Sequence, residues 1–133
     1  MAPQLRISTV NLSAADVPAL SRFYADLLGY AVHDEDPGWH YLSAPDGGVA
    51  LSVQHEPTHV PPVWPQRDGV QQMQAHLEIR VHPQPDGDPL AALEAAARQA
   101  VDLGARRAEY QPQEDVRVML DPAGHPFCLW VAR

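Results

Sequence analysis

The sequence predicts an α+β protein made of two tandem βαβββ modules. Three observations carry that reading. Two amphipathic helix patterns start and stop on the same signals. Each is preceded by one strand pattern and followed by three. The two sets also repeat at a nearly constant offset, with Gly29 and Gly104 standing 75 residues apart and Gly47 and Gly124 standing 77 apart. Self-similarity at a fixed period is the mark of an internal duplication.

The first helix is predicted between Asp16 and Gly29. Asp16 caps it, Pro18 sits in the first turn where its missing N–H costs nothing, and Gly29 takes the left-handed position after the last turn. Leu20, Phe23, Tyr24, Leu27 and Leu28 fall at i, i+3, i+4, i+7 and i+8, which makes one apolar stripe. The second helix repeats the pattern with Asp88, Pro89 and Gly104 as its punctuation and Leu90, Leu93, Ala97, Ala100 and Val101 as its stripe. Glu94 and Arg98 are spaced to pair on its outer face. Strands are predicted over residues 5–12, 30–35, 39–43 and 49–54 in the first module, and over 75–81, 105–110, 116–120 and 126–131 in the second. Asp36-Pro37-Gly38, Pro45-Asp46-Gly47-Gly48, Pro112 and Asp121-Pro122-Ala123-Gly124 supply the turns.

The expected organisation is one domain over residues 1–133, with module one at about 5–54, a Pro-rich connector at 55–74 and module two at 75–133. Four prolines (Pro57, Pro61, Pro62 and Pro65) make the connector extended and non-helical. Trp64 within it is either a packed linker residue or part of a flap over a pocket. His55-Glu56-Pro57-Thr58-His59 matches the zinc-protease pattern H-E-x-x-H, which needs both histidines on one helix face. Pro57 in its middle, costing about 3 kcal/mol in a helix interior, removes that reading.

The bulk properties exclude several classes. A chain of 133 residues with 45% hydrophobic and 20% charged residues has the make-up of one globular domain. No apolar run approaches the ~20 residues of a membrane span, and the first residues show no secretory signal pattern. One cysteine, Cys128, excludes an internal disulfide and suits a reducing compartment. The expected location is cytoplasmic. A net charge of −8 argues against nucleic acid as a partner, and membrane is not expected either.

Several stretches together resemble the glyoxalase/bleomycin-resistance/ring-cleaving-dioxygenase superfamily, the vicinal oxygen chelate proteins, in its glyoxalase-like branch. They are Arg22-Phe23-Tyr24-Ala25-Asp26-Leu27-Leu28-Gly29, Pro61-Pro62-Val63-Trp64-Pro65, Gln71-Gln72-Met73 leading to His76-Leu77, and the run from Arg117 through Asp121-Pro122-Ala123-Gly124-His125 to Leu129. The resemblance spans about residues 5–131. It implies curved mixed sheets forming a concave pocket, helices on the convex side, and pairing into a homodimer. It also implies metal ligands on the first and last strand of each module, at the positions held here by Thr9, Leu51, His76 and Cys128. Only His76 is a standard ligand in that set. A divalent ion needs about three protein ligands, so no tightly bound metal or other cofactor is expected. Were a divalent metal held, His76, Cys128 and Glu78 would be its ligands.

Strand alternation offers a second view of the pocket. It places His76, Glu78 and Arg80, and then Cys128 and Trp130, on the concave face. It adds Arg117 and Met119 from the strand 116–120, Thr9 and Asn11 from the first strand, and Leu51 and Val53 from the fourth. The ligand-binding set is thus Thr9, Asn11, Leu51, Val53, Trp64, Arg117, Met119, Cys128 and Trp130, with His76 and Glu78 as the catalytic candidates. Arg117 either holds an anionic substrate group or pairs with Glu78 or Asp115. His125 is read as a turn residue and His33 as an exposed strand end. A wall of mostly apolar area with a few polar groups suits a small molecule. Three functions stay open: a protein that sequesters a hydrophobic or aromatic metabolite or antibiotic without metal, a lyase or isomerase using His76 as general base, and a glyoxalase- or dioxygenase-type metal enzyme with atypical ligands. A His76 close to Cys128 would either favour a reactive thiolate or stand as a structural histidine beside a buried, inert thiol.

Overall fold

The computed structural model describes all residues from Met1 to Arg133. Contacts divide the chain into two compact units, Met1–His59 and Val60–Arg133. Each contains one helix and one four-stranded mixed sheet, so the tandem βαβββ prediction holds. No helix is long and apolar enough to cross a membrane.

The first unit runs β1 (Thr9–Ala14), α1 (Val17–Leu28), β2 (Ala31–Asp36), β3 (Trp39–Ser43) and β4 (Ala50–His55). Its sheet order is β1-β4-β3-β2, with β1 and β4 parallel and the other pairs antiparallel. The Asp16 carboxylate accepts the Ala19 N–H, and Gly29 closes the helix at φ 71°. Val17, Leu20, Ser21, Phe23, Tyr24 and Ala25 are buried, whereas Leu27 and Leu28 at the end of the predicted stripe are only half-buried. β1 begins at Thr9, four residues later than predicted. Its register with β4 matches Thr9 to Ala50, and the Ser8 carbonyl still accepts the Ala50 N–H, while Leu5 and Ile7 before it stay exposed.

The second unit runs β5 (Leu77–Arg80), α2 (Pro89–Asp102), β6 (Arg106–Arg107), β7 (Val116–Leu120) and β8 (Pro126–Trp130), in the sheet order β5-β8-β7-β6. Asp88 caps α2 by accepting the Ala91 N–H. Leu93, Ala97 and Ala100 are fully buried, but Val101, assigned to the stripe by spacing, is 45% exposed. β6 is two residues long where six were predicted. Beyond it the Ala108 N–H still donates to the Val118 carbonyl, and the Gln111 side chain stands in for the other backbone partners, donating to the carbonyls of Ala108 and Val118 and accepting the Val118 N–H. The turn before β8 is held by the buried Asp121 carboxylate, which accepts the N–H groups of Ala123 and His125. Residues 60–74 contain no helix or strand, as the prolines require.

Candidate functional site on the second sheet

Register fixes which side chains share a face. Leu77, Ile79, Phe127, Leu129 and Met119 lie on the α2 side, since Leu77 pairs with Phe127, Ile79 with Leu129 and Met119 with Phe127. The opposite face carries Glu78 beside Cys128 beside Val118, and Arg80 beside Trp130 beside Val116. His76 precedes Glu78 by two residues and reaches the same side, its Nε2 lying 3.4 Å from Glu78 Oε2. Ala108, Val118 and Cys128 form an apolar patch on this face, and Trp64 and Val116 pack against it. The Trp64 indole N–H donates to the Tyr110 carbonyl at 3.2 Å, and the two rings lie 6.2 Å apart. The Arg80 guanidinium lies 5.2 Å from the Trp130 ring centre, a cation–π contact rather than the ion pair with Glu78 that spacing suggests.

His76, Glu78, Trp64, Cys128 and Trp130 thus share this face, and Arg117 and Met119 do not. β7 is apolar on both faces, so alternation assigned it the wrong phase. Met119 is completely buried on the α2 side. Arg117 also faces the helix, where its Nε donates to Glu94 at 2.6 Å and its Nη1 to the carbonyls of Glu114 and Val116. These contacts place its guanidinium on the helix side, away from the open face, and pair it with Glu94 rather than with Glu78 or Asp115. Glu94 binds Arg107 at 2.7 Å as well, so its partners come from the neighbouring strands and not from Arg98. The two guanidinia hold the Glu94 carboxyl below its ordinary range, against a smaller opposing effect of burial. A depressed carboxylate stabilises the fold above its unfolded value and loses that contribution as the pH falls through its folded one. Urea unfolding from neutral pH into acid should therefore show a shallower loss of stability for Glu94→Gln than for the parent. Parallel curves would mean the triad contributes nothing.

The first sheet needs the same correction. His40 and Leu42 pair with Val53 and Leu51 on β4, and His40 Nδ1 lies 3.0 Å from the Ser21 hydroxyl of α1, with both residues buried. Leu51 and Val53 therefore face α1 and belong to the core. The other face carries Thr9, Asn11, Tyr41, Ser52 and Gln54, with Asn11 Nδ2 donating to the Ser52 hydroxyl at 2.7 Å. The buried Ser21–His40 pair went unread, although His40 shares its parity with Leu42.

These placements test the metal set that the resemblance implies. Leu51 has no donor atom and lies under a helix, and Thr9 offers a neutral hydroxyl beside that of Ser8. That four-position set does not fit a metal ion. His76, Glu78 and Cys128 by themselves do converge, with one donor atom from each lying within 4.8 Å of the others. Burial, then the hydrogen bond and charge of Glu78, push the Cys128 thiol up to about 12. Of the two readings of Cys128, a thiolate activated by His76 and a buried, inert thiol, these surroundings favour the second, because burial and a neighbouring carboxylate both stabilise the protonated thiol.

Two modules, each a four-stranded mixed sheet with a helix on one face, and a mixed apolar and polar wall on the other face of the second, define the class of the vicinal oxygen chelate fold. A profile of the family described as glyoxalase-like domain matches residues 9–130, and the chain belongs to that family. A glyoxalase/bleomycin resistance protein/dioxygenase family enzyme from Burkholderia phytofirmans PsJN is similar in structure, with a TM-score of 0.68 at 18% identity, covering 97% of this chain and 100% of that one. A glyoxalase-related enzyme from Fulvimarina pelagi gives 0.67 at 15% identity, covering 97% and 89%. A glyoxalase/bleomycin resistance protein from Albidiferax ferrireducens T118 gives 0.63 at 13%, covering 95% and 98%. No curated protein matches the sequence. At these identities the likeness establishes the fold.

Proposed function

We propose that this protein binds a hydrophobic or aromatic metabolite or antibiotic on the helix-free face of its second sheet, without the metal set common in its superfamily. The observation that carries the reading is the patch of Ala108, Val118 and Cys128 with Trp64 and Val116 packed on it. Trp130 continues this face through its register with Val116, and His76, Glu78 and Arg80 supply a polar row along β5. Apolar area with a few placed polar groups is what a small-molecule site requires, and indole rings add stacking geometry that suits an aromatic ligand.

The test is tryptophan emission during titration with a panel of aromatic natural products, in a Trp39→Phe background that removes the indole of the other sheet. A ligand should quench Trp64 and Trp130 emission, also in chelator-treated protein, and Trp130→Ala should weaken its binding by about tenfold, the equivalent of ~1.4 kcal/mol. Affinity indifferent to Trp130→Ala would place the ligand elsewhere.

A second reading is supported by the Glu78 carboxylate beside His76 Nε2. A carboxylate that orients an imidazole is the arrangement of a general base, which suits a lyase or isomerase. Mass spectrometry of the bound compound decides between the two. Recovery unchanged after long incubation fits a binding protein, whereas conversion that is lost in His76→Ala, with binding retained, fits the enzyme.

A further inference from the structure

We propose that His76, Glu78 and Cys128 form a three-donor site for a thiophilic divalent cation of the zinc class, built within one module. It keeps His76 and Cys128 of the set the superfamily resemblance implies, but takes its third donor from Glu78, outside that set, and none from the first module. It shares a wall with the proposed ligand site but does not depend on that ligand.

The geometry is set by the strands. Glu78 and Cys128 are register partners on parallel neighbours, whose backbones run about 4.8 Å apart. His76, two residues before Glu78, points to the same side. The three donor atoms lie within 4.8 Å of one another, and the His76–Glu78 pair is already at 3.4 Å. Tetrahedral zinc with bonds of about 2.0–2.3 Å needs donors roughly 3.3–3.6 Å apart. The remaining closure is at most about 1.2–1.5 Å, within the reach of two partly exposed side chains turning toward a sulfur fixed on its strand. The His76 and Glu78 side chains are 33% and 55% exposed, so the ion has an entry path and an open fourth position.

Charge and donor type select the ion. On binding, a metal–sulfur bond forms and the Cys128 proton passes to solvent. One thiolate, one carboxylate and one neutral imidazole then cancel the two positive charges of the cation, so no net charge is left at the edge of the apolar patch. Sulfur and imidazole favour zinc, cobalt or nickel over magnesium and calcium, which take oxygen ligands. Arg80, the nearest cation on β5, is drawn over Trp130 and leaves the Glu78 carboxylate to the cluster.

Cobalt(II) titrated into chelator-treated full-length protein, with no organic ligand present, tests the site. One cobalt per chain should bind with a thiolate-to-cobalt charge-transfer band. Cys128→Ser should abolish the band, and His76→Ala and Glu78→Gln should each weaken binding by about 10–100-fold. His55→Ala with His59→Ala, which removes the histidines of the connector pattern, should change nothing. X-ray absorption of the zinc-loaded parent, which needs no variant to fold, should show one sulfur neighbour. A zinc shell without sulfur, or cobalt binding lost with His55 and His59 and kept in Cys128→Ser, overturns the proposal. The ligand titration in chelated protein fails or succeeds separately, so the two proposals fall independently.

Discussion

Met119→Ala is expected to lower stability by about 2–5 kcal/mol, the usual cost of truncating a fully buried long apolar side chain. Met119 has no exposed surface and lies beside Phe127 on the α2 side of the sheet. The residual cavity would sit between sheet and helix, where the fully buried Leu93 and Ala97 of α2 leave little freedom to collapse. Ligand titration of the fraction that remains folded should match the parent, because the side chain faces away from the proposed site. Urea unfolding measures the first effect and Trp130 quenching the second. A variant of near-parent stability with lost ligand binding would return Met119 to the pocket.

The same residue shows where sequence reading stops. β5 reads His76-Leu77-Glu78-Ile79-Arg80 with one polar and one apolar face, and the phase taken from that alternation is the phase found. In β8 the phase taken from Phe127 and Leu129 is also the phase found, although Cys128 on its other face is buried too. β7 reads Val116-Arg117-Val118-Met119-Leu120, and β4 contains Leu51 and Val53 among Ala50 and Ser52. Both strands put small or apolar residues on each face, because each face is covered. In β7 the helix covers one side and Trp64 packs on the other. A strand buried on both faces carries no period-2 signal strong enough to set its phase. Taking Val118 and Leu120 as the core side of β7, and Leu51 and Val53 as the open side of β4, inverts both phases, so four site candidates (Leu51, Val53, Arg117 and Met119) lie on the helix side instead.

Helices were read more accurately because their ends are chemical and not statistical. Asp16 and Asp88 accept N–H groups three residues on, a contribution of about 1 kcal/mol each, and Gly29 follows the last turn of α1 with a positive φ. The strand ends were missed where a side chain stands in for backbone. Nothing in a periodicity marks Gln111 as the group that terminates β6, since its role depends on the Ala108 and Val118 carbonyls being brought together by the fold.

Gly124→Ala is expected to cost about 2–5 kcal/mol, more than Gly29→Ala. Both glycines have positive φ, 84° and 71° respectively, and an L-residue there pays about 1–2 kcal/mol. Their surroundings separate them. A Cβ on Gly29 meets nothing within 4 Å, whereas one on Gly124 falls 2.6 Å from the Cβ of Pro61. Relief requires the connector or the Asp121 turn to move, and overpacking of that kind adds about 1–3 kcal/mol. Pro61→Gly deletes the opposing ring carbons, so a double-mutant cycle isolates the contact. Measured against Pro61→Gly alone, the Gly124→Ala, Pro61→Gly double variant should lose only the φ penalty, matching the effect of Gly29→Ala on the parent within about 0.5 kcal/mol. Because Pro61 stands three residues before Trp64, Gly124→Ala should also weaken ligand binding at Trp64, and the double variant should not restore it fully, having made the connector more flexible. Equal urea midpoints for Gly124→Ala and Gly29→Ala would show that the connector gives way freely and that Trp64 is not held in place by the turn.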